Sequence, residues 1–413
     1  MSTLLSVNNY YYYRGGAETV FLEHNKLLEA AGWNVVPFSM QHPKNLPSEW
    51  SDYFIDELEL GGSYGVLGKL RRVSKVIYSL EARRRISAII DRVRPDICHA
   101  HNIYHHLSPS ILATLRERAV PTVITLHDLK IACPAYNMLT HDGVCERCKG
   151  GHLHNVMVHR CIKGSLAMSA IIYAEAVLHR ALRSYERSVA RFVVPSRFFI
   201  EKFVEWGFAR ERFVHVPNFV DATRYSPAFT AGPDFVFIGR LSREKGLATL
   251  IRAAGLAGTP VRIVGTGPAL EELQELAQSL CAPVTFMGYL SGAALTAAIA
   301  SARALVLPSE CYENAPMSIL EAYALGKPAI GARIGGIPEL ILEGRTGASF
   351  ECRNVESLAR ALADFAAAPG ERIEEMGRAA RAHLEQEFSA ARYLERIAGV
   401  YRNLLPGLAQ ARA

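Results

Sequence analysis

Glu313 and Glu321 stand eight positions apart in ECYENAPMSILEA, residues 310–322, directly after the apolar run ARALVLPS. A chain leaving a buried strand there meets a carboxylate, a proline suited to the first turn of a helix, and a second carboxylate. Pro316 has no N–H to leave unpaired. The free N–H groups around Met317 and Ser318 would face the end of the strand and suit a phosphate. At ~1.5 Å per residue, the helical part alone holds the two carboxylates ~7 Å or more apart. One can then lie on each side of a bound phosphate, which is the layout a sugar joined through a diphosphate to a ribose requires. The plainer reading is a helix with one acid near its start and one solvated acid further on.

Four more stretches lie at or just after apolar runs. GRLSREKG, residues 239–246, offers Arg240 and Lys245 on one strand-to-helix turn. A guanidinium fork with an ammonium point charge suits a diphosphate, and two solvated loop cations are the alternative. RGGAETV, residues 14–20, puts Gly15 and Gly16 where a helix opens, so backbone can approach an anion closely. VGTGPAL, residues 264–270, repeats that layout around Gly265 but lacks the third glycine of a dinucleotide fingerprint, so NAD is not expected. TLHDLK, residues 125–130, ends a strand with His127 and Asp128, where the histidine is either a ligand contact or a polar residue closing the strand.

The elements that position these residues form one theme. Val/Ile/Leu-rich runs (TLLSV, WNVVPFSM, DICHAH, PTVITLH, RFVVPS, FVHVPN, then DFVFIGR, PVRIVG, PVTFMG, ALVLPS, KPAIGA) alternate with helical patterns. Continuous apolar strands between helices predict parallel sheets covered on both faces, an α/β class. The runs fall into two series, and PNFVDATRYSP, residues 217–227, marks the change between domains. In such sheets ligands bind beyond the carboxyl ends of strands, where the residues above lie. The chain has 413 residues, half of them apolar and 21% charged, which fits a globular protein with large cores. A net charge of +6 permits anionic ligands and gives no reason to expect nucleic acid. No run of 18 apolar residues and no basic-then-apolar leader occurs, so a cytoplasmic protein with reduced thiols is expected.

Taken together and in order, GGAE, DICHAH, LHD, VPNFVD, GRLSREKG, VGTGP, ENAPMSILE and GKPAIGARIGGIPELI make the chain resemble retaining glycosyltransferases of the GT-B fold, glycosyltransferase family 4. The resemblance covers residues from about 1 to 400. It implies two Rossmann-like doubly wound domains facing across a cleft. Residues 1–219 would form the acceptor side, 220–388 the donor side, and the helix within 389–413 would cross back. It implies a sugar moved from a UDP- or GDP-linked donor to a saccharide or lipid-linked saccharide. Arg240 and Lys245 would hold the diphosphate, Glu313 the transferred sugar and Glu321 the ribose. His127 would lie beside the reacting sugar, and the Gly16 loop would close over the phosphates. Gly15, Gly265, Asn314, Met317 and Ser318 complete the expected donor site. PNFVD departs from the family's frequent PNG, and Phe219 accepts a left-handed backbone less readily than glycine. The chain contains no D-x-D, and fixed cations with helix N–H groups can stabilise a departing diphosphate, so no catalytic metal is expected. A sugar-nucleotide epimerase of the same fold and a non-catalytic sugar-nucleotide-binding module are the competing readings.

Two features lie outside that pattern. Residues 133–161 carry Cys133, Cys145, Cys148 and Cys161 as C-x11-C-x2-C-x12-C, with CERCKGG like a zinc knuckle and His141, His152, His154 and His159 nearby. Either four thiolates close a structural zinc site or these are unliganded thiols in a loop-rich insertion. Residues 69–94 and 165–191 read as helices with basic sides, which suit either an anionic membrane face or plain solvent. Oligomeric state leaves no signal.

Overall fold

A computed structural model of the chain describes residues 2–58, 66–140 and 143–405, with backbone only over 66–70. His141, the side chains of Lys69 and Leu70, and positions 406–413 lie outside the described residues.

The two series of apolar runs form two six-stranded sheets, parallel throughout. The first contains β1 (Thr3–Val7), β2 (Asn34–Phe38), β3 (Ile97–Ala100) and β4 (Thr122–Thr125). A two-stranded hairpin follows, β5 (Leu139–Thr140) and β6 (Gly143–Val144), and then β7 (Arg191–Val194) and β8 (Phe213–His215) complete the sheet. Its order is β2-β1-β3-β4-β7-β8. The second holds β9 (Phe235–Ile238), β10 (Val261–Val264), β11 (Val284–Gly288), β12 (Ala304–Leu307), β13 (Ala329–Ala332) and β14 (Gly347–Phe350), ordered β11-β10-β9-β12-β13-β14. Strand order reverses between β1 and β3 in one sheet and between β9 and β12 in the other. A doubly wound sheet opens a ligand crevice at these switch points. Pro37 lies in β2, an edge strand, where its missing N–H costs no ladder bond.

Each sheet has its own core. Phe235, Phe237, Leu305, Ile319, Leu320 and Tyr323 are among the fully buried residues of the second. Leu5, Val36, Phe38, Cys98, Ile86 and Phe203 are among those of the first. A third cluster joins distant sequence. Leu4, Val35, Ile97, Val123 and Val193, all strand residues of the first sheet, pack against Tyr393, Ile397, Val400 and Tyr401 of the helix Ala390–Leu404. The chain passes between the sheets twice, and the two passages are adjacent. Val220 pairs with Ser389, and the Val220 N–H donates to Phe388 O at 3.0 Å.

Phe219 sits beside that crossing, and its backbone is not left-handed, so this turn has no need of glycine. Its ring is buried and lies 4.2 Å from the Tyr393 ring, so it fills the joint with the returning helix. The helical stretch expected over 69–94 is broken. One helix ends at Ile77, and Ser79 caps the next, Leu80–Val93, by accepting from the Ala82 N–H. The stretch 165–191 also breaks, at Arg183, which is left-handed between the helices Leu166–Ala181 and Ser184–Ser188. In both cases the apolar period continues across the break, so periodicity alone joins what capping separates.

Candidate active site

The turn after β9 and the loop after β12 flank the switch point of the second sheet. Lys245 closes the first, and its Nζ donates to Glu313 Oε1 at 2.6 Å. Ser309, directly beyond β12, donates to the same oxygen at 2.7 Å. Burial alone would raise the Glu313 carboxyl, but the Lys245 charge and these two hydrogen bonds outweigh it and hold the group below its ordinary range. Lys245 is held protonated in return: burial opposes its charge, and Glu313 overcomes that. Arg240, on the same turn, is exposed and has no carboxylate partner among the described residues.

Two loops brace this turn. Gly265 is at φ +140°, and a Cβ there would lie 1.9 Å from Gly239 O, so the loop after β10 packs backbone to backbone against the one after β9. The Gly335–Gly336 pair supports Glu313 from below. Gly335 is at φ +60° with its Cβ position 2.4 Å from Glu313 O, and the Gly336 N–H donates to that oxygen at 2.8 Å. A side chain at Gly335 would push the Glu313 backbone aside, and one at Gly336 would strike Asn314 O, 1.9 Å from its Cβ position.

Helix Met317–Ala324 begins after Pro316, whose extended ψ of 122° makes it the cap residue one position ahead of the helix and not its first residue. Ile319 N–H already donates to Pro316 O at 3.3 Å, and the Met317 and Ser318 amides precede it at the open end. The tight start of the first domain's leading helix meets this point: a Cβ on Gly16 would lie 3.4 Å from Met317 Cγ. Gly15 is the cap residue of that helix, Gly16–Ala30. Glu321 lies one turn into Met317–Ala324. It has no hydrogen-bond partner among the described residues, and burial raises its carboxyl to about 7.

Asn314 has a different place from the one expected of a donor contact. Its Nδ2 donates to Leu126 O at 2.8 Å, and its Oδ1 accepts from Ser196 Oγ at 2.7 Å. The side chain thus ties the end of β4 to the Glu313 loop, and the residue positions the site by joining the sheets. Glu339 helps from the same side, its carboxylate accepting from the Arg197 and Phe198 N–H groups at 2.8 and 2.6 Å. Ser196 and Glu339 were missed in the sequence because each lies inside a quoted motif but bonds across the fold, and Ser309 because its bond to Glu313, four positions on, depends on how the loop turns.

His127 follows Leu126. Its Nε2 is 2.8 Å from His101 Nδ1, and burial lowers its pKa to about 4, so the ring is neutral at ordinary pH. His101 was also missed, although DICHAH contains it. Behind it, His99 Nδ1 and His24 Nε2 contact Tyr401 Oη at 2.6 and 3.2 Å, and His24 Nδ1 contacts Tyr393 Oη at 2.9 Å. His24, His99 and His101 place ring nitrogens within 4.8 Å of one another, the one such metal-like group among the described residues. Five of those six nitrogens already bond Tyr393, Tyr401, Thr125 or His127, and burial pushes all three pKa values down, so this is a neutral hydrogen-bonded network. The expected zinc ligands form a separate centre, in which Cys133, Cys145, Cys148 and Cys161 line one small cavity with His159. His152 and His154 do not line it.

The model of glycosyltransferase family 4 matches residues 14–224, just over half the chain, and the model of glycosyl transferases group 1 matches 223–383. The chain belongs to glycosyltransferase family 4. Sulfoquinovosyl transferase SQD2 of Arabidopsis thaliana is 29% identical over 324 residues, 76% of this family 4 chain and 58% of that protein. Sucrose-phosphate synthase from Thermosynechococcus elongatus superposes with a TM-score of 0.71 at 18% identity, covering 98% of this chain and 100% of that one. HepE of Anabaena, in complex with UDP and glucose, gives 0.66 at 17% identity, with 98% and 100% covered. The two-sheet architecture of this family 4 member is GT-B. No described helix is long and apolar enough to cross a membrane.

Proposed function

We propose that this chain moves a sugar from a UDP- or GDP-linked donor to a saccharide or lipid-linked saccharide, with retention of configuration and without a catalytic metal. The carrying observation is the Lys245–Glu313 contact at the β9/β12 switch point, beside the open end of helix Met317–Ala324. Lys245, Arg240 and the Met317 and Ser318 amides are fixed positive partners for a departing diphosphate. Glu313 lies where the sugar meets that diphosphate, and Glu321 has a free carboxyl for ribose hydroxyls. Glu313 Oε1 is engaged by Lys245 and Ser309, which favours a hydrogen-bonding role over nucleophilic attack on the sugar. Attack from the leaving-group face accounts for retention: the new glycosidic C–O bond forms as the C–O bond to phosphate breaks, and the departing phosphate oxygen takes the acceptor hydroxyl's proton. His127, neutral and held by His101, is placed to hydrogen-bond a sugar hydroxyl. The UDP and glucose bound by HepE support the donor class. In the basic stretch 69–94, Lys75 pairs with Glu81 and Arg83 with Glu117.

A thermal-shift panel of nucleotide sugars followed by product analysis tests this reading. The true donor at 100 times its Kd adds ~2.7 kcal/mol of stability. Transfer with retained anomeric configuration, undiminished by EDTA, is the expected result. Conversion of the donor with no acceptor would establish an epimerase, and binding without turnover a non-catalytic module.

The two glutamates are expected to separate in calorimetry with free UDP or GDP. Glu321→Ala weakens nucleotide binding about tenfold, the loss of a charge-assisted hydrogen bond or two. Glu313→Ala leaves it nearly intact and damages transfer. The reverse pattern would exchange their assignments. Glu321 also sets a pH dependence. Ribose hydroxyls donate best to an ionised carboxylate, so nucleotide affinity rises several-fold as pH climbs through about 7. Glu321→Gln removes that rise, and any slope common to both proteins belongs to the diphosphate. In the free protein the same raised carboxyl favours folding at low pH. Its stabilisation is complete below the ordinary glutamate range and fades as pH rises through about 7.

A further inference from the structure

The described residues of 133–161 lie around the paired strands β5 and β6 and the single helical turn Asn155–Val158. The segment brings Cys133, Cys145, Cys148 and Cys161 around one cavity of about 10 Å³, room for a single ion or water. All four are free thiols. Backbone N–H groups point at the sulfurs: those of Met138 and Ala135 reach Cys133, and that of Val156 reaches Cys148. Amides aimed at buried sulfurs suit thiolates on a metal.

The same knuckle touches the transfer site. Glu146 lies between Cys145 and Cys148, and its Oε1 accepts from Tyr312 Oη at 3.0 Å and from Lys202 Nζ at 2.9 Å. Tyr312 is the residue before Glu313, and its ring lies 4.8 Å from Phe198.

We propose that Cys133, Cys145, Cys148 and Cys161 hold one structural Zn²⁺, and that the loaded knuckle positions Glu146 to fasten Tyr312 and so the Glu313 loop. Four soft ligands in a closed cavity select zinc over magnesium and leave no open position for catalysis. Among the described residues no three of these sulfurs lie within 4.8 Å of one another. Zn–S bonds of about 2.3 Å therefore draw the thiolates inward, and binding releases their protons and tightens the segment.

The test uses the full chain purified without chelator. Elemental analysis is expected to find about one zinc per chain, and Co²⁺ put in its place to give the intense thiolate-to-cobalt charge-transfer bands of a tetrahedral tetrathiolate. Cys145→Ser with Cys148→Ser loses both signals. Zinc-free protein whose four thiols all titrate freely, or a double variant that keeps its zinc, overturns the site. Reversible chelation of the unaltered chain gives the same reading if the double variant does not fold. Hydrogen exchange then tests the fastening. Amides of residues 310–314 exchange roughly tenfold faster in zinc-stripped protein and in Glu146→Ala, which keeps its zinc. Unchanged exchange in both overturns the link to Tyr312.

Discussion

Replacing Lys245 by alanine lowers kcat/KM for sugar transfer about 100-fold, ~2.7 kcal/mol of transition-state stabilisation. Two losses combine. The departing diphosphate loses a fixed cation at the switch point. Glu313 loses the partner that overcomes its burial, so its carboxyl rises and the residual rate becomes pH-dependent, increasing as the group ionises. Arg240→Ala costs a similar factor without that new pH dependence, because Glu313 keeps Lys245, the charge that holds its carboxyl down. Steady-state kinetics of both variants across pH 6 to 9 check this. Near-normal transfer by both would remove the diphosphate clamp from the mechanism.

Tyr401→Ala is expected to destabilise the first sheet's domain by about 3–5 kcal/mol, the cost of deleting a large aromatic from a packed core. Tyr401 is 1% exposed, and its Oη is the shared partner of His99 and His24. The truncation leaves both imidazoles short of a bond in an interior where they are neutral. Tyr401→Phe keeps the bulk and loses only the bonds, so about 1–3 kcal/mol is expected. Urea unfolding followed by a probe in the first domain reads both. A change under ~0.5 kcal/mol for the alanine variant would mean that the returning helix is not part of that core.

The strands that position the site were legible because parallel strands buried on both faces read as unbroken apolar runs. β14 was not, since GASF is small and half-buried and has no such run. The Arg240/Lys245 turn and the Glu313 loop were legible as charges placed just beyond strands. Their contact was not, because sequence shows which residues follow a strand but not which strands are neighbours. Asn314 is the sharpest case. It was itself read as part of the donor site, yet its side-chain amide bonds Leu126 and Ser196, 188 and 118 positions away. Phe219 shows the opposite limit. The departure from glycine was visible, and its reason lies in Tyr393, which no local pattern connects to it.

The returning helix also fixes an order of events during synthesis. The second sheet and its core lie wholly within residues 220–388, so that half can close as soon as it has left the ribosome. The first sheet is made earlier, yet the face formed by Leu4, Val35, Ile97, Val123 and Val193 stays uncovered until residue 401 emerges. The half translated first is thus the half finished last. During that interval it presents an apolar surface to whatever chaperone or neighbouring chain is at hand.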